Sequence, residues 1–200
     1  MIRIGITGGI GSGKSVVTTL LQISGIPIYI TDLESKKLLE SSSIIRKKLT
    51  DLLGASIYTS TGLDRKRMAS LIFNDSKLLK RVNGIIHPEV AYDFNTWLGF
   101  QQTTYAALES AILFESGFNH MVDISLLVYT PEDLRIERTI KRDKVTRTEV
   151  MRRIQNQQSD EEKKELVDYV IYNDEKSALI PQVEDFLVYL NTLYIRDEIK

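Results

Sequence analysis

Residues 8–15 read Gly8-Gly9-Ile10-Gly11-Ser12-Gly13-Lys14-Ser15, and the reading of this stretch decides the fold. It satisfies G-x-x-x-x-G-K-[ST], a glycine loop whose backbone N–H groups wrap phosphate oxygens. The motif carries weight only between a strand and a helix. Before it, Ile2-Arg3-Ile4-Gly5-Ile6 has the β-branched character of a short buried strand. After it, Val16, Val17, Leu20, Leu21 and Ile23 fall at the spacing of an amphipathic helix. A helix opening directly behind the glycines adds its positive dipole end to the site. The segment predicts a nucleoside triphosphate site, with Lys14 reaching the β- and γ-phosphates and the Ser15 hydroxyl on Mg²⁺.

Working outward, 200 residues suit one α/β domain with room for a helical insertion. A formal net charge of −1 gives no overall pull toward nucleic acid or an anionic membrane. The absence of cysteine excludes disulfides, thiolate metal sites and cysteine nucleophiles. No apolar run is long enough to span a bilayer, and the first strand leads into the glycine loop rather than a signal-peptide pattern. These features predict a cytoplasmic protein, a monomer or weak homo-oligomer, with no nucleic-acid or membrane partner.

A second strand is expected over residues 26–30, ending at Thr31-Asp32. Apolar spacing from residue 33 to about 53 predicts helix, broken in two at Ser41-Ser42-Ser43. Thr61-Gly62 marks a turn, and Asp64 is expected to cap a helix running to about Phe73. Helix is expected again over residues 77–98, interrupted at His87-Pro88, because proline disfavours helix in the residue before it. Strands follow at residues 105–108 and 124–129. Thr130 is expected as the N-cap of a helix with Pro131 in its first position. Thr146-Arg147-Thr148-Glu149 is a capping-box pattern. A charged stretch over 160–165, a strand over 169–172 and an amphipathic helix over 179–195 complete the chain. Strands alternating with helices predict an α/β three-layer fold, with a parallel central sheet, a helical substrate-binding insertion and a helical lid. The expected segments are a core over 1–32, 101–135 and 166–200, an insertion over 33–100 and a lid over 136–165.

A phosphate loop does not separate kinases from other nucleotide hydrolases, so other features must narrow the choice. No Asn-Lys-x-Asp guanine-reading sequence is present, which argues against a GTPase. A kinase for a small acceptor needs a base near the acceptor hydroxyl and mobile cations for the transferring group. Asp32 stands just past a strand end, where open parallel sheets place ligands, and it could equally serve as a helix N-cap. Arg135, Arg138, Lys141, Arg142, Lys144, Arg147, Arg152 and Arg153 crowd one region. Arg138 and Arg142 share a helix face, and paired guanidiniums hold phosphate oxygens directionally. Arg142, placed before a hinge at Asp143-Lys144, is the arginine expected to act, on a lid that closes over ATP. Lys141, Arg152 and Arg153 are expected to form a solvated face.

With these residues in place the chain resembles the dephospho-coenzyme A kinases. The resembling segments are Thr7 to Ser15, Ile28 to Asp32, Leu63-Asp64-Arg65 with Leu71-Ile72-Phe73, and Ile86-His87-Pro88. Ala111-Ile112-Leu113-Phe114-Glu115, Arg138 to Asp143 and Asp168 to Asn173 extend the likeness to nearly the whole chain. The resemblance implies transfer of the γ-phosphoryl group of ATP to the ribose 3′-hydroxyl of dephospho-CoA, the last step of coenzyme A synthesis. It implies Asp32 as catalytic base, with Lys14 and Arg142 catalytic. It implies ATP and Mg²⁺ on Gly8, Gly9, Gly11, Ser12, Gly13, Lys14, Ser15, Val16, Arg138 and Asn173, with Ser15 on the metal side. The acceptor would meet Thr7, Asp32, Arg65 and His87, although His87 by residue type reads rather as a buried or capping histidine and Arg65 could equally be a helix-start residue. Ile30, Val16 and Ala111 depart from the family pattern, which usually has an acidic residue, threonine and proline there. Alternatives are another small-molecule kinase, for a nucleoside monophosphate, shikimate or a sugar acid, or a non-catalytic ATP-binding regulatory module.

Overall fold

The computed structural model describes residues 1–73 and 75–198, with side chains to residue 195. Residues 74, 199 and 200 of the expected segments lie outside that description. The elements in chain order are β1 (Ile2–Thr7), α1 (Lys14–Ile23), β2 (Ile28–Ile30), α2 (Thr31–Ser41), α3 (Ser43–Leu53), β3 (Tyr58–Thr59), β4 (Gly62–Leu63) and α4 (Arg65–Ile72). They continue with α5 (Ser76–Leu98), β5 (Tyr105–Glu109), β6 (Ile124–Tyr129), α6 (Glu132–Asp143), α7 (Arg147–Ile154), α8 (Asp160–Lys164), β7 (Tyr169–Tyr172) and α9 (Leu179–Glu198). The chain divides into two compact units, Met1–Tyr29 with Gln101–Lys200, and Ile30–Phe100.

The first unit is built on a five-stranded sheet of order β2-β5-β1-β6-β7. β1 sits at its centre, parallel to β5 with Ile2 opposite Tyr105 and parallel to β6 with Ile4 opposite Ile124. β6 in turn runs parallel to β7. Consecutive residues of β1 and β6 are buried, as strands covered on both faces require. Ile4, Ile6, Leu126 and Val128 share one core with Val17 and Leu21 of α1 and Phe186 and Leu190 of α9. β2 is shorter than its apolar run suggests, because the run opens with Ile26-Pro27. Pro27 has no N–H for a ladder, and only its carbonyl is used, accepting the Ala107 N–H at 2.9 Å.

The second unit is helical, with a two-strand hairpin of β3 and β4. Leu39, Ile45, Leu49, Ile57, Leu63 and Val82 form its core. The serine cluster breaks the chain as expected: the Ser42 hydroxyl accepts the Ile45 N–H at 3.2 Å and caps α3. Asp64 caps α4 through the Arg67 N–H at 2.9 Å.

Two expectations are corrected. α5 does not break at His87-Pro88 but runs through it. Val82 on one side of the proline and Val90 and Phe94 on the other are buried, so packing holds both halves on one axis. The proline ring is exposed, and the carbonyl it crowds belongs to Gly84, where no side chain adds to the congestion. The helix after β6 begins at Glu132, one residue later than expected, with Pro131 in the capping position and no side-chain cap. Thr130 does not cap it, because its hydroxyl donates to the carbonyls of Ser12 at 3.0 Å and Asn173 at 2.9 Å.

The missing amide at position 88 makes a stability prediction. Pro88→Ala restores a donor to the helix interior and is expected to stabilise the protein by about 1–2 kcal/mol after the looser unfolded chain is allowed for. A fall in the thermal midpoint would show that the ring is packed after all. His87 supplies a second prediction. Burial pushes its imidazole below the ordinary value of 6.5. The unfolded chain therefore takes up the proton first on acidification. The stability this group contributes is complete above 6.5 and is lost as pH falls below it toward the folded pKa. Urea midpoints should drop across that window, and His87→Gln should flatten the slope.

Candidate active site

β1 delivers the chain into the glycine loop and α1 carries it away, starting at Lys14 behind Gly13. Gly13 lies at φ 84°, a left-handed conformation, and a Cβ there would overlap the Asn173 amide. A Cβ on Gly9 would overlap the Arg135 guanidinium. Gly9 is thus required by what packs against the loop, and Gly13 by that and by the loop's curvature.

The loop's hydrogen bonds divide it in two. On the outer arm the Gly9 N–H donates to Asp160 Oδ1 at 2.9 Å and the Ile10 N–H to Gln157 Oε1 at 3.2 Å. The Ser12 N–H turns back to the Gly9 carbonyl at 3.1 Å. The Ser12 carbonyl is held from outside by the Thr130 hydroxyl and by Asn173 Nδ2 at 2.8 Å. Among the described residues the N–H groups of Gly11, Gly13 and Ser15 have no intramolecular acceptor. The Gly13 and Ser15 amides stand at the first turn of α1, where a helix cannot satisfy its own donors and where anions bind, and the Gly11 amide lies in the loop just before it. The residues fit a polyphosphate.

Lys14 Nζ donates to the Gly8 carbonyl at 2.6 Å, so its ammonium lies over the loop. Ser15 and Val16 are exposed. Among the described residues no three His, Cys, Asp or Glu side chains gather as a metal cage. A hard cation that keeps its waters and takes one hydroxyl plus phosphate oxygens fits such a site. Thr7, at the end of β1, is wholly buried, and among the described residues its hydroxyl and that of Ser12 have no hydrogen-bond partner.

The basic region separates into distinct jobs. Arg138 donates to the Asn173 carbonyl at 3.1 Å and pairs with Glu175 at 3.0 Å, joining α6 to the end of β7. Arg142, exposed, pairs with Asp143 at 2.7 Å, and Arg153 of α7 takes the other oxygen at 2.9 Å. The hydrogen bond from Arg142 holds the Asp143 carboxyl below its ordinary range. Lys144 follows at φ 55°, a left-handed residue that ends α6. Arg153 is exposed, as expected of a solvated face, and it shares Asp143 with Arg142.

Asp160, Gln157 and Thr130 bond to the loop and Arg135 packs against Gly9, contacts that the sequence does not reveal. Asp160, Lys163 and Arg135 are buried. Arg135 Nε lies 3.5 Å from Asp160 Oδ2, and Lys163 Nζ donates to the Ala111 carbonyl at 2.8 Å and pairs with Glu115 at 3.1 Å. Burial pushes the Asp160 carboxyl above its ordinary value, against the pull of Arg135, Lys163 and Lys14. One signal was available: Ser159-x-x-Glu162 is a capping box, which α8 uses, and it sets Asp160 and Lys163 three apart on one helix.

Asp32, Arg65 and His87 belong to the second unit. Asp32 lies inside the first turn of α2, whose cap position is Ile30 and has no side-chain cap bond. Its carboxylate is exposed and, among the described residues, accepts no hydrogen bond, so helix capping does not explain it. Arg65 pairs with Glu40 at 3.1 Å and donates to the Lys36 carbonyl at 3.3 Å. His87 is half-buried in α5.

Residues 2–178 match the profile of the dephospho-CoA kinase family. A dephospho-CoA kinase of Bacteroides fragilis is 45% identical over 190 residues, which cover 94% of this chain and 93% of the relative. A crystal structure from Thermus thermophilus aligns with a TM-score of 0.81 at 31% identity, covering 96% of each chain. The shikimate kinase of Acinetobacter baumannii, at 16% identity and a TM-score of 0.51 over 100% of this chain and 96% of its own, shares the fold. A glycine loop with open amides on a parallel α/β sheet, matched along nearly its full length, places the chain in the dephospho-CoA kinase family.

Proposed function

We propose that this protein transfers the γ-phosphoryl group of ATP to the ribose 3′-hydroxyl of dephospho-CoA, giving CoA and ADP. The reading is carried by one observation: the open amides of Gly11, Gly13 and Ser15 in the glycine loop and at the start of α1, in a chain that belongs to this family. Those amides would take the β- and γ-phosphates, and Lys14 would leave the Gly8 carbonyl to meet them. Mg²⁺, held by Ser15, phosphate oxygens and water, would supply neutralising charge across the transferring group.

Asp32 is assigned as the base. Open parallel sheets work beyond the carboxyl ends of their strands, and Asp32 follows the carboxyl end of β2 in the chain. An exposed carboxylate with no capping duty is available to orient the acceptor hydroxyl and take its proton. Arg142 is assigned to the transferring phosphoryl group, on a lid over residues 136–165 that pivots at Lys144. Arg138 and Asn173, already joined, would flank the nucleotide, with Val16 beside it. Thr7, Arg65 and His87 are assigned to the acceptor side. The core and insertion boundaries given above are kept as the working division of the chain. The same reading has the protein acting in the cytoplasm as a monomer or weak homo-oligomer, on a small-molecule acceptor. Among the described residues no helix is long and apolar enough to cross a membrane.

Three measurements test it. ADP release should depend on dephospho-CoA and not on nucleoside monophosphates, shikimate or gluconate, with a product identical to CoA; preference for another acceptor reassigns the enzyme. Asp32→Asn should keep ATP affinity while kcat falls by about 10²–10⁴-fold, and normal turnover would remove Asp32 as the base. Arg142→Ala should lower kcat far more than Arg153→Ala; equal losses would mean that the shared pairing with Asp143 matters, not the cation.

A further inference from the structure

α8 carries two charges withdrawn from water, Asp160 at 3% exposure and Lys163 at 0%. Charges persist in such surroundings only where partners hold them. Lys163 braces the helix on one side, against the Ala111 carbonyl and Glu115. Glu115 is itself anchored, accepting the Gln158 N–H at 2.7 Å. On the same helix Glu161 accepts the Tyr129 hydroxyl at 2.5 Å, and Lys164 lies 4.5 Å from the centre of the Tyr129 ring. α8 is therefore fixed to β6 and to the segment after β5, and from that footing Asp160 meets the glycine loop. Arg135 supplies the counter-charge and fills the space that a side chain at position 9 would need.

We propose that Asp160 is a positioning residue for ATP: by accepting the Gly9 N–H it fixes the outer arm of the phosphate loop, which keeps the amides of Gly11, Gly13 and Ser15 turned toward the triphosphate. Gln157 does the same for Ile10 from the turn before α8. The loop gains rigidity from an acceptor within the chain at the positions where it does not hold phosphate, and keeps donors open where it does. A glycine-rich segment left to itself would lose that preorganisation to backbone entropy. The inference rests on the phosphate-loop reading of residues 8–15.

The test is calorimetric ATP affinity without acceptor, together with KM for each substrate, at a temperature below every variant's unfolding transition. Asp160→Ala should raise the ATP Kd and KM by about ten-fold, the scale of one hydrogen bond to a charged group, and leave the KM for dephospho-CoA unchanged. Asp160→Asn keeps an oxygen for Gly9 and should recover most of the ATP affinity, even though its Tm falls because Arg135 loses its counter-charge. If the alanine variant melts earlier but binds ATP as the wild type does, Asp160 only packs the interior and the proposal fails. It fails equally if the asparagine variant is as impaired as the alanine one. Should Asp160→Ala not fold, Asp160→Glu displaces the oxygen by one methylene and must raise the ATP KM; an unchanged KM overturns the proposal. A wild-type protein that binds no ATP would remove the phosphate-loop reading itself, whereas wild-type binding beside an unaffected alanine variant removes the inference alone.

Discussion

The first turn of an α-helix presents amide groups that no carbonyl of that helix can reach; among the described residues those of Gly13 and Ser15 are open at the start of α1, with that of Gly11 open in the loop before them. Much of the first unit is arranged around that turn. β1, buried on both faces at the centre of the sheet, fixes where the loop starts. Thr130 and Asn173 hold the Ser12 carbonyl from the ends of β6 and β7, so three strands of one sheet meet at a single loop. The glycines are small because arginine, threonine and asparagine side chains have moved in behind them. A cradle made of backbone amides leaves the side chains packed behind it free to be structural.

The charges around the loop are graded by depth. Asp160, Lys163 and Arg135 are buried and face one another or backbone groups. Arg138 is half-buried and bridges two elements. Arg142 is exposed, and its pairing with Asp143 is the exposed kind that contributes little to stability and separates easily. The deep pairs hold α6 and α8 against the loop, and the outermost pair is the one that exchanges partners most readily.

What could be read from the sequence was what local chemistry determines. The glycine loop, the serine break between α2 and α3, the Asp64 cap and the Thr146 capping box all depend on residues within a few positions of each other. Misreadings came where distant parts of the chain intervene. Thr130 has the residue type and place of an N-cap, yet the Ser12 carbonyl, 118 positions away, claims its hydroxyl. Pro88 is a helix breaker by local rules, and buried neighbours on both sides override it. Asp160 sits in a run of charge that looks solvated, and only a partner 151 positions away makes it a buried acceptor. Asp32 was readable as a candidate but ambiguous, and the geometry of α2 removed the capping alternative.

The strand order also governs when the molecule can assemble. β1 is synthesised before both of its partners, which begin at Tyr105 on one side and Ile124 on the other. It therefore waits, unpaired and apolar, until most of the chain exists, and closing that distance is the slow, entropy-opposed part of building such a sheet. The stretch from Ile30 to Phe100 makes its own contacts within itself and needs no such delay. Growth from the ribosome thus meets a helical module able to form early, inserted between an orphan strand and the partners that complete it. That interval is when Ile2, Ile4 and Ile6 are exposed to aggregation, and a chaperone would find its binding stretch there.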